Sequence, residues 1–145
     1  MPAWVNTGFA EYSKRFPRSL TLKLTEIPPG HRTKRAQPAA AIQIEGTRLL
    51  AAVPKGARKV TLDEGGKAWS TEELARRLAI WMQSGSDVAF LIGGPDGLDP
   101  VLKTDVDETW SLSRLTFPHS LVRVVVAEQL YRAWSLINNH PYHRA

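Results

Sequence analysis

Two segments in the second half of the chain combine glycines, hydroxyls and apolar residues in the way that ligand-binding loops do. The first, Gly-Gly-Pro-Asp-Gly at 93–97, directly follows the apolar run 88–92. Glycine permits positive φ and close approach of the backbone, so this pattern indicates a buried strand that ends in a loop against a ligand. The second, at 111–117, places Ser111, Ser113 and Thr116 among apolar residues. Hydroxyls between apolar walls suit a purine and a thioether better than a triphosphate.

The glycine segment carries neither of two common phosphate-binding motifs. It lacks Gly-x-Gly-x-x-Gly, the dinucleotide fingerprint, and no Gly-Lys-Ser/Thr follows it. Taken alone, residues 93–97 also fit a plain structural turn. Both segments follow predicted strands, and open α/β sheets bind ligands beyond the carboxyl ends of their strands. We therefore expect one small-molecule pocket between the two segments.

Polar residues nearer the C-terminus form a second group that can do chemistry. Glu128 and Arg132 lie four residues apart and share one face of a predicted helix, either as an ordinary ion pair or as a grip on a phosphate. His119 follows the corner at Phe117 and Pro118. It is either a helix-terminal residue with local hydrogen bonds or an active-site residue.

The terminal segment, residues 139–144, follows the predicted end of the last helix and reads Asn-His-Pro-Tyr-His-Arg. Tyr142 can stack on a base and Arg144 can bind a phosphate, a pair typical of nucleic-acid binding. A frayed chain end is the alternative. His140 and His143 have no third ligand close in sequence, so we expect no metal site.

Predicted helices and strands alternate along the chain and must position these groups. Helical spacing of apolar residues begins at Trp4 and stops before Pro17, and further helices are predicted at 38–53, 71–84 and 121–137. Ser70 and Glu73 form a capping box for the third helix. Strands are predicted at 20–27, 60–62, 88–92 and 110–112. This alternation predicts an α/β fold with a mostly parallel open sheet.

Length and composition exclude several classes of protein. The 145 residues fit a single domain, 1–145, and the absence of cysteine excludes disulfides, thiolate zinc sites and thiol nucleophiles. No apolar run approaches the roughly 20 residues of a membrane span, and the N-terminus lacks a signal-peptide pattern. We expect a soluble, cytoplasmic protein without a membrane partner.

Positive charge is unevenly spread, with a net charge of +5 and a basic segment between residues 14 and 35. Such a segment favours a polyanion, because each neutralised phosphate releases counterions. A solvated face that keeps the protein soluble is the alternative. The basic residues of this segment are Lys14, Arg15, Arg18, Lys23, His31, Arg32, Lys34 and Arg35.

Four motifs occur in a defined order in the second half: Leu-Ile-Gly-Gly-Pro-x-Gly-Leu, Trp-Ser-Leu-Ser-x-Leu-Thr-x-Pro-His, Leu-Tyr-Arg-Ala-Trp and Asn-x-Pro-Tyr-His-Arg. With them the chain resembles, over essentially its whole length, the ribosomal RNA large-subunit methyltransferase H family of the SPOUT class. The resemblance implies a C-terminal trefoil knot and S-adenosylmethionine as methyl donor. It implies N3 of a pseudouridine in large-subunit rRNA as acceptor, and homodimers in which the partner subunit completes each site.

The resemblance also implies roles for individual residues. Those matching the family's cofactor site are Leu62, Gly93, Leu112, Ser113, Arg114, Leu115, Thr116 and Phe117. Those expected to act on the acceptor are His119, Glu128, Arg132, Tyr142 and Arg144. Family members usually begin with a strand of the type Lys-x-x-x-Val-x-Val-Gly-Lys, and this chain begins after it, so we expect the sheet to lack that strand.

Two other functions fit parts of the pattern. A non-catalytic RNA-binding protein that assists ribosome assembly would use the basic segment, with the glycine segment as a structural turn. A nucleotide-binding enzyme of the doubly wound type is supported by strand-Gly-Gly-x-x-Gly alone and lacks a phosphate-binding lysine. Binding of S-adenosylmethionine separates the methyltransferase from both.

Overall fold

A computed structural model of the protein describes residues 2–30, 38–94 and 96–144, and at Arg144 the backbone alone. Its helices are α1 (Ala3–Ser13), α2 (Pro38–Ala52), α3 (Thr71–Ser84) and α4 (His119–Ile137), its strands are β1 (Arg58–Ala68), β2 (Val88–Leu91) and β3 (Glu108–Ser111), and short 3-10 helices span Pro100–Lys103 and Pro141–Arg144. None of the helices in these ranges is long and apolar enough to cross a membrane.

The chain forms two compact units. The sheet unit contains Thr25–Ala68 and Ser86–His119, and therefore α2 and all three strands. The helical unit contains Met1–Leu24, Trp69–Gly85 and Ser120–Ala145, and therefore α1, α3 and nearly all of α4.

The sheet is open and parallel, which confirms the predicted α/β fold with a mostly parallel open sheet. Its strand order is β2-β1-β3, and both outer strands run parallel to β1. Thr61 of β1 pairs with Leu91 on one side and Thr109 on the other, and Val60 and Thr61 are fully buried. Because the strands are parallel, the segments that follow β2 and β3 leave the sheet at the same edge.

Strand β1 is longer than the predicted 60–62. Both Leu62 and Lys67 pair with Trp110, so the residues between them bulge out of the ladder. A Cβ at Gly66 would lie 2.6 Å from the carbonyl oxygen of Thr109, which only glycine avoids. The polar and glycine residues of this bulge interrupt the apolar pattern, which is why the sequence showed only its first part.

In the helical unit, local signals set the bounds of α3 as predicted. The Ser70 hydroxyl accepts a hydrogen bond from the backbone N–H of Glu73 at 3.1 Å, and Gly85 ends the helix with φ of 72°. Helix α1 ends at Ser13, one turn before the predicted stop, and residues 14–16 form a turn. A Cβ at Gly8 would lie 3.2 Å from Val124, so a small residue lets α1 approach α4 closely.

The predicted strand at 20–27 is wrong. Residues 21–30 have no helix or strand, although Leu20, Leu22 and Leu24 are half-buried and Thr21 and Lys23 are exposed. The period of two in the sequence therefore reports the alternating burial of the segment. Among the described residues, no neighbouring strand pairs with this segment, so the pattern is not evidence of strand hydrogen bonding.

Candidate functional site

The carboxyl edge of the parallel sheet brings together the residues matched to the cofactor site. Leu62 lies within the central strand β1, just before the bulge and not at the strand's end as predicted, and is only 8% exposed. The glycine segment follows β2 and residues 112–117 follow β3, so the two segments leave the sheet on either side of β1. This is the edge at which α/β proteins bind ligands.

The glycine segment closes on itself. The N–H of Gly97 donates to the carbonyl of Gly94 at 3.0 Å, and Gly97 has φ of +88°. A Cβ at Gly93 would lie 2.7 Å from the carbonyl carbon of Gly97. A side chain at 93 would therefore meet the segment's own backbone, so Gly93 is first of all a requirement of the loop's closure. Pro95 lies outside the described residues.

Glu45 of α2 lies beside this loop and was not among the residues predicted from the sequence. Its side chain is 7% exposed and accepts a hydrogen bond from the backbone N–H of Gly30 at 2.9 Å. A Cβ at Gly94 would lie 3.2 Å from Glu45 Oε1, and one at Gly46 would lie 2.8 Å from Cβ of Asp99. The signal in the sequence was an acid followed by glycine within a mostly apolar helix.

The segment after β3 is held by its own hydroxyls. Ser111 donates to the carbonyl of Ser113 at 2.9 Å, and the Ser113 hydroxyl accepts from the N–H of Leu115 at 3.0 Å. Thr116 donates to Glu64 Oε2 in the β1 bulge at 2.6 Å. These bonds leave the apolar side chain of Leu115 70% exposed, beside a fixed backbone. Such an arrangement fits the adenine of S-adenosylmethionine, which needs an apolar wall and backbone polar groups.

The other members of this segment have various exposures. Arg114 is exposed, whereas Leu112 and Phe117 are half-buried. Residues 112–117 form a short irregular segment between β3 and α4, and the hydrogen bonds of Ser113 and Thr116 stabilise it.

In the helical unit, one carboxylate oxygen joins three donor groups. Glu128 Oε1 accepts hydrogen bonds from Arg132 Nε at 2.9 Å and Nη2 at 2.7 Å, and from the Tyr142 hydroxyl at 2.9 Å. The bond to Glu128 is the main cause that raises the pKa of Arg132. The Arg132 guanidinium also lies 5.0 Å from the centroid of the Tyr142 ring. We call Glu128, Arg132 and Tyr142 the carboxylate cluster.

The terminal segment is folded onto α4 of its own chain, so the frayed-end alternative is wrong for residues 139–143. Asn139 has φ of 54°, and His140 N–H donates to the carbonyl of Ser135 at 2.8 Å. The N–H of Tyr142 donates to Nδ1 of His140 at 3.2 Å. The Tyr142 ring packs edge-on against Tyr131, with centroids 4.8 Å apart. The side chain of Arg144 lies outside the described residues.

The Tyr142 phenol is a hydrogen-bond donor. Burial, followed by hydrogen bonds with Tyr12 and Glu128, raises the pKa of Tyr142 above its ordinary value. The phenol therefore stays protonated at neutral pH, and Tyr142 is unsuited to accept a proton from a substrate.

His119 is the first residue of α4 and is half-buried. It precedes Glu128 by nine residues, which is about 13 Å of helix. No hydrogen bond within the described ranges joins it to the carboxylate cluster.

The basic segment is only partly described. Lys14 and Arg15 both pair with Glu11, at 3.0 and 2.6 Å. Arg18 and Lys23 are exposed. The remaining basic residues of the segment lie outside the described ranges and are His31, Arg32, Lys34 and Arg35.

Comparison with known proteins covers nearly the whole chain. The family model described as "Predicted SPOUT methyltransferase" matches residues 1–143. A relative from Methylococcus capsulatus strain Bath, the protein "Ribosomal RNA large subunit methyltransferase H", is 58% identical over 144 residues. That match covers 99% of this chain and 93% of the relative.

Proposed function

We propose, since this chain belongs to the ribosomal RNA large subunit methyltransferase H family of SPOUT methyltransferases, that it methylates N3 of a pseudouridine in large-subunit rRNA. The methyl donor is S-adenosylmethionine. The observation that carries the proposal is the pair of ligand-type segments on either side of β1 at the carboxyl edge of a parallel sheet. When bound, S-adenosylmethionine supplies an electrophilic sulfonium methyl. The protein must then align the acceptor nitrogen with it and manage one proton.

The sheet unit supplies the cofactor site in this proposal. Leu62, just before the bulge of β1, and the backbone of Gly93, just after β2, line it, and residues 112–117 wrap the adenine. Two features support these roles: the fixed backbone of the Ser113 turn and the exposed Leu115 side chain. Glu45 lies beside Gly94 of the glycine segment and leaves little room there for a side chain.

The helical unit supplies the groups that hold RNA. Arg132 presents a guanidinium whose direction is fixed by two bonds to Glu128, which suits a phosphate oxygen. Tyr142 offers an aromatic ring for a base, and Arg144 a further positive charge. His119, or a water held by the terminal segment, takes the imide proton. Tyr142 does not take it, because its raised pKa keeps the phenol protonated.

We further propose that residues 1–145 act as one methyltransferase domain whose C-terminal part is a trefoil knot. The family model spans both compact units, which supports a single functional domain. We propose that it acts in the cytoplasm, where its proposed ribosomal substrate would be methylated.

The active form is a homodimer in which the partner subunit completes each site. Helix α4 supports this, because its residues 121–125 are apolar or basic, and all five are half-buried in the single chain. Consecutive residues cover every face of a helix, so they cannot all enter one core. Sedimentation at micromolar concentration should show a species of about twice 16.1 kDa. A monomer that still methylates would contradict the shared site.

The test of the proposed function has two parts. Calorimetry should show that the purified protein binds S-adenosylmethionine. Labelled methyl should then be transferred to ribosomes that lack the modification. RNA binding with no cofactor binding would instead support the alternative, a non-catalytic protein of ribosome assembly.

A further inference from the structure

An arginine at the end of α1 lies over three tyrosine rings of the helical unit. Arg15 follows α1 by two residues. Its Cζ atom lies 5.2 Å from the ring centroid of Tyr12, 5.7 Å from that of Tyr131 and 5.8 Å from that of Tyr142. All three distances are within the range of cation–π attraction. The ring of Tyr142 thus has two guanidinium neighbours, Arg15 and Arg132.

Arg15 keeps capacity for another ligand. One of its five N–H donors bonds to Glu11 Oε1 at 2.6 Å, within the part of the chain that the structure describes. Its side chain is 35% exposed, so the guanidinium reaches solvent. The pKa of Arg15 is raised, first of all by the bond to Glu11, so the group is always charged.

Lys14 differs from Arg15 in one informative way. Both cations pair with the same carboxylate of Glu11. Lys14 is 65% exposed and has no ring contact among those described, whereas Arg15 is held against the tyrosines. Removing either charge should therefore have the same effect if only the charge near Glu11 matters. If the position over the tyrosine rings matters, only the substitution of Arg15 should have an effect.

We propose that Arg15 is a second RNA-binding residue of the acceptor surface, which binds a phosphate of the strand whose base stacks beside Tyr142. The tyrosine rings fix the plane of the guanidinium and leave its outer donors for a phosphate oxygen. Arginine beside aromatic rings is a combination that binds single-stranded nucleic acid by charge and stacking together. The inference rests on the proposed function, since it extends the surface around Tyr142 that is proposed there.

The alternative is a purely structural role, in which Arg15 only stabilises the packing of α1 on the aromatic rings. The two roles differ in what a substitution changes. A phosphate contact contributes to the affinity for ribosomes and to its dependence on salt. A structural contact changes thermal stability and does not change the salt dependence.

The experiment compares Arg15→Gln with Lys14→Gln in steady-state methylation of ribosomes lacking the modification. For Arg15→Gln we expect KM for ribosomes to rise about tenfold at nearly unchanged kcat, because one charge-assisted hydrogen bond is lost. The slope of log affinity against log salt should flatten by about 0.7–0.9. Lys14→Gln should change KM by less than about twofold, as is usual for an exposed charge without a fixed geometry. Arg15→Lys should restore the salt slope, since it restores the charge.

Two controls separate folding and function from the inference. Calorimetry with S-adenosylmethionine should give the wild-type Kd for every variant, which shows that the protein is folded. If Arg15→Gln is unstable, Arg15→Met takes its place, because its unbranched side chain packs on the rings without a charge.

The inference is overturned if the uncharged Arg15 variants and Lys14→Gln change KM and the salt slope equally, or if neither changes them. It is also overturned if the Arg15 variants lose thermal stability alone. Failure of the wild-type protein to methylate any ribosome is a different result, which rejects the proposed function itself.

Discussion

Replacing Glu128 with alanine should weaken the attachment of the terminal segment to α4. The substitution removes the acceptor of two bonds from Arg132 and one from Tyr142. A hydrogen bond to a charged group contributes about 1.5–3 kcal/mol, but the three bonds share one oxygen and the side chains of Arg132 and Glu128 remain 22% and 17% exposed. We therefore expect a total loss of about 2–3 kcal/mol in the free energy of unfolding. That corresponds to a decrease in Tm of roughly 4–12 °C for a chain of this length.

The matched variant is Glu128→Gln. Its amide oxygen can still accept the Tyr142 hydroxyl, so the expected loss is about 1 kcal/mol, or roughly 2–4 °C in Tm. Circular dichroism melting measures both variants, and calorimetry should show wild-type affinity for S-adenosylmethionine in each. Methylation of ribosomes should decrease in both variants, more for alanine. A Glu128→Ala protein with wild-type Tm would refute the energetic importance of the carboxylate cluster.

Three further predictions concern other parts of the molecule. Gly93→Ala would place a methyl 2.7 Å from the carbonyl carbon of Gly97, so calorimetry should show an affinity for S-adenosylmethionine weaker by about tenfold or more. Gly94→Ala would meet only a side chain, at 3.2 Å, and should lose less of this affinity. Ser70→Ala removes the N-cap of α3 and should lower Tm by roughly 2–4 °C with unchanged cofactor affinity; a larger effect on affinity would contradict a purely local cap. The raised pKa of Tyr142 means that the folded state holds the phenolic proton more tightly than the unfolded chain. This contribution to stability is present below about pH 10 and is lost as the pH rises further. Tyr142→Phe should therefore flatten the alkaline decrease in stability, measured by denaturant titration.

Local signals in the sequence were sufficient for much of the fold. Helix α3 has its cap, its apolar stripe and its terminal glycine within one short segment, and each does in the structure what its residue type favours. Strand β2 was recognisable because an apolar run leads directly into glycines. Both outer strands run parallel to β1, as the alternation of helices and strands predicted.

The errors occur where distant residues decide the outcome. The alternation at 20–27 is present as alternating burial, but a strand needs a partner that this pattern cannot specify. The need for glycine at 93 comes from Gly97 across the loop, and the buried position of Glu45 comes from contacts with Gly30 and Gly94. Glu45 lies fifteen residues from Gly30 and forty-nine from Gly94, so no local pattern reports its contacts, whereas Gly97 lies only four residues from Gly93.

The terminal segment shows the same limit in the candidate site. Its residue types suggested RNA binding or a frayed end, and neither predicted that Tyr142 would bond to Glu128, fourteen residues earlier. The spacing of Glu128 and Arg132 did predict their ion pair, because four residues make one helical turn.

The most direct test of the central claim is the chemical identity of the methylated nucleotide. Large ribosomal subunits carrying pseudouridine, and otherwise identical subunits carrying uridine at those positions, are incubated with the protein and labelled S-adenosylmethionine. The rRNA is then digested and analysed by mass spectrometry. We predict one methyl group per large-subunit rRNA, on N3 of a pseudouridine, and much less label in the uridine subunits. Label on a different atom or nucleotide, or cofactor binding with no transfer to either substrate, would contradict the account.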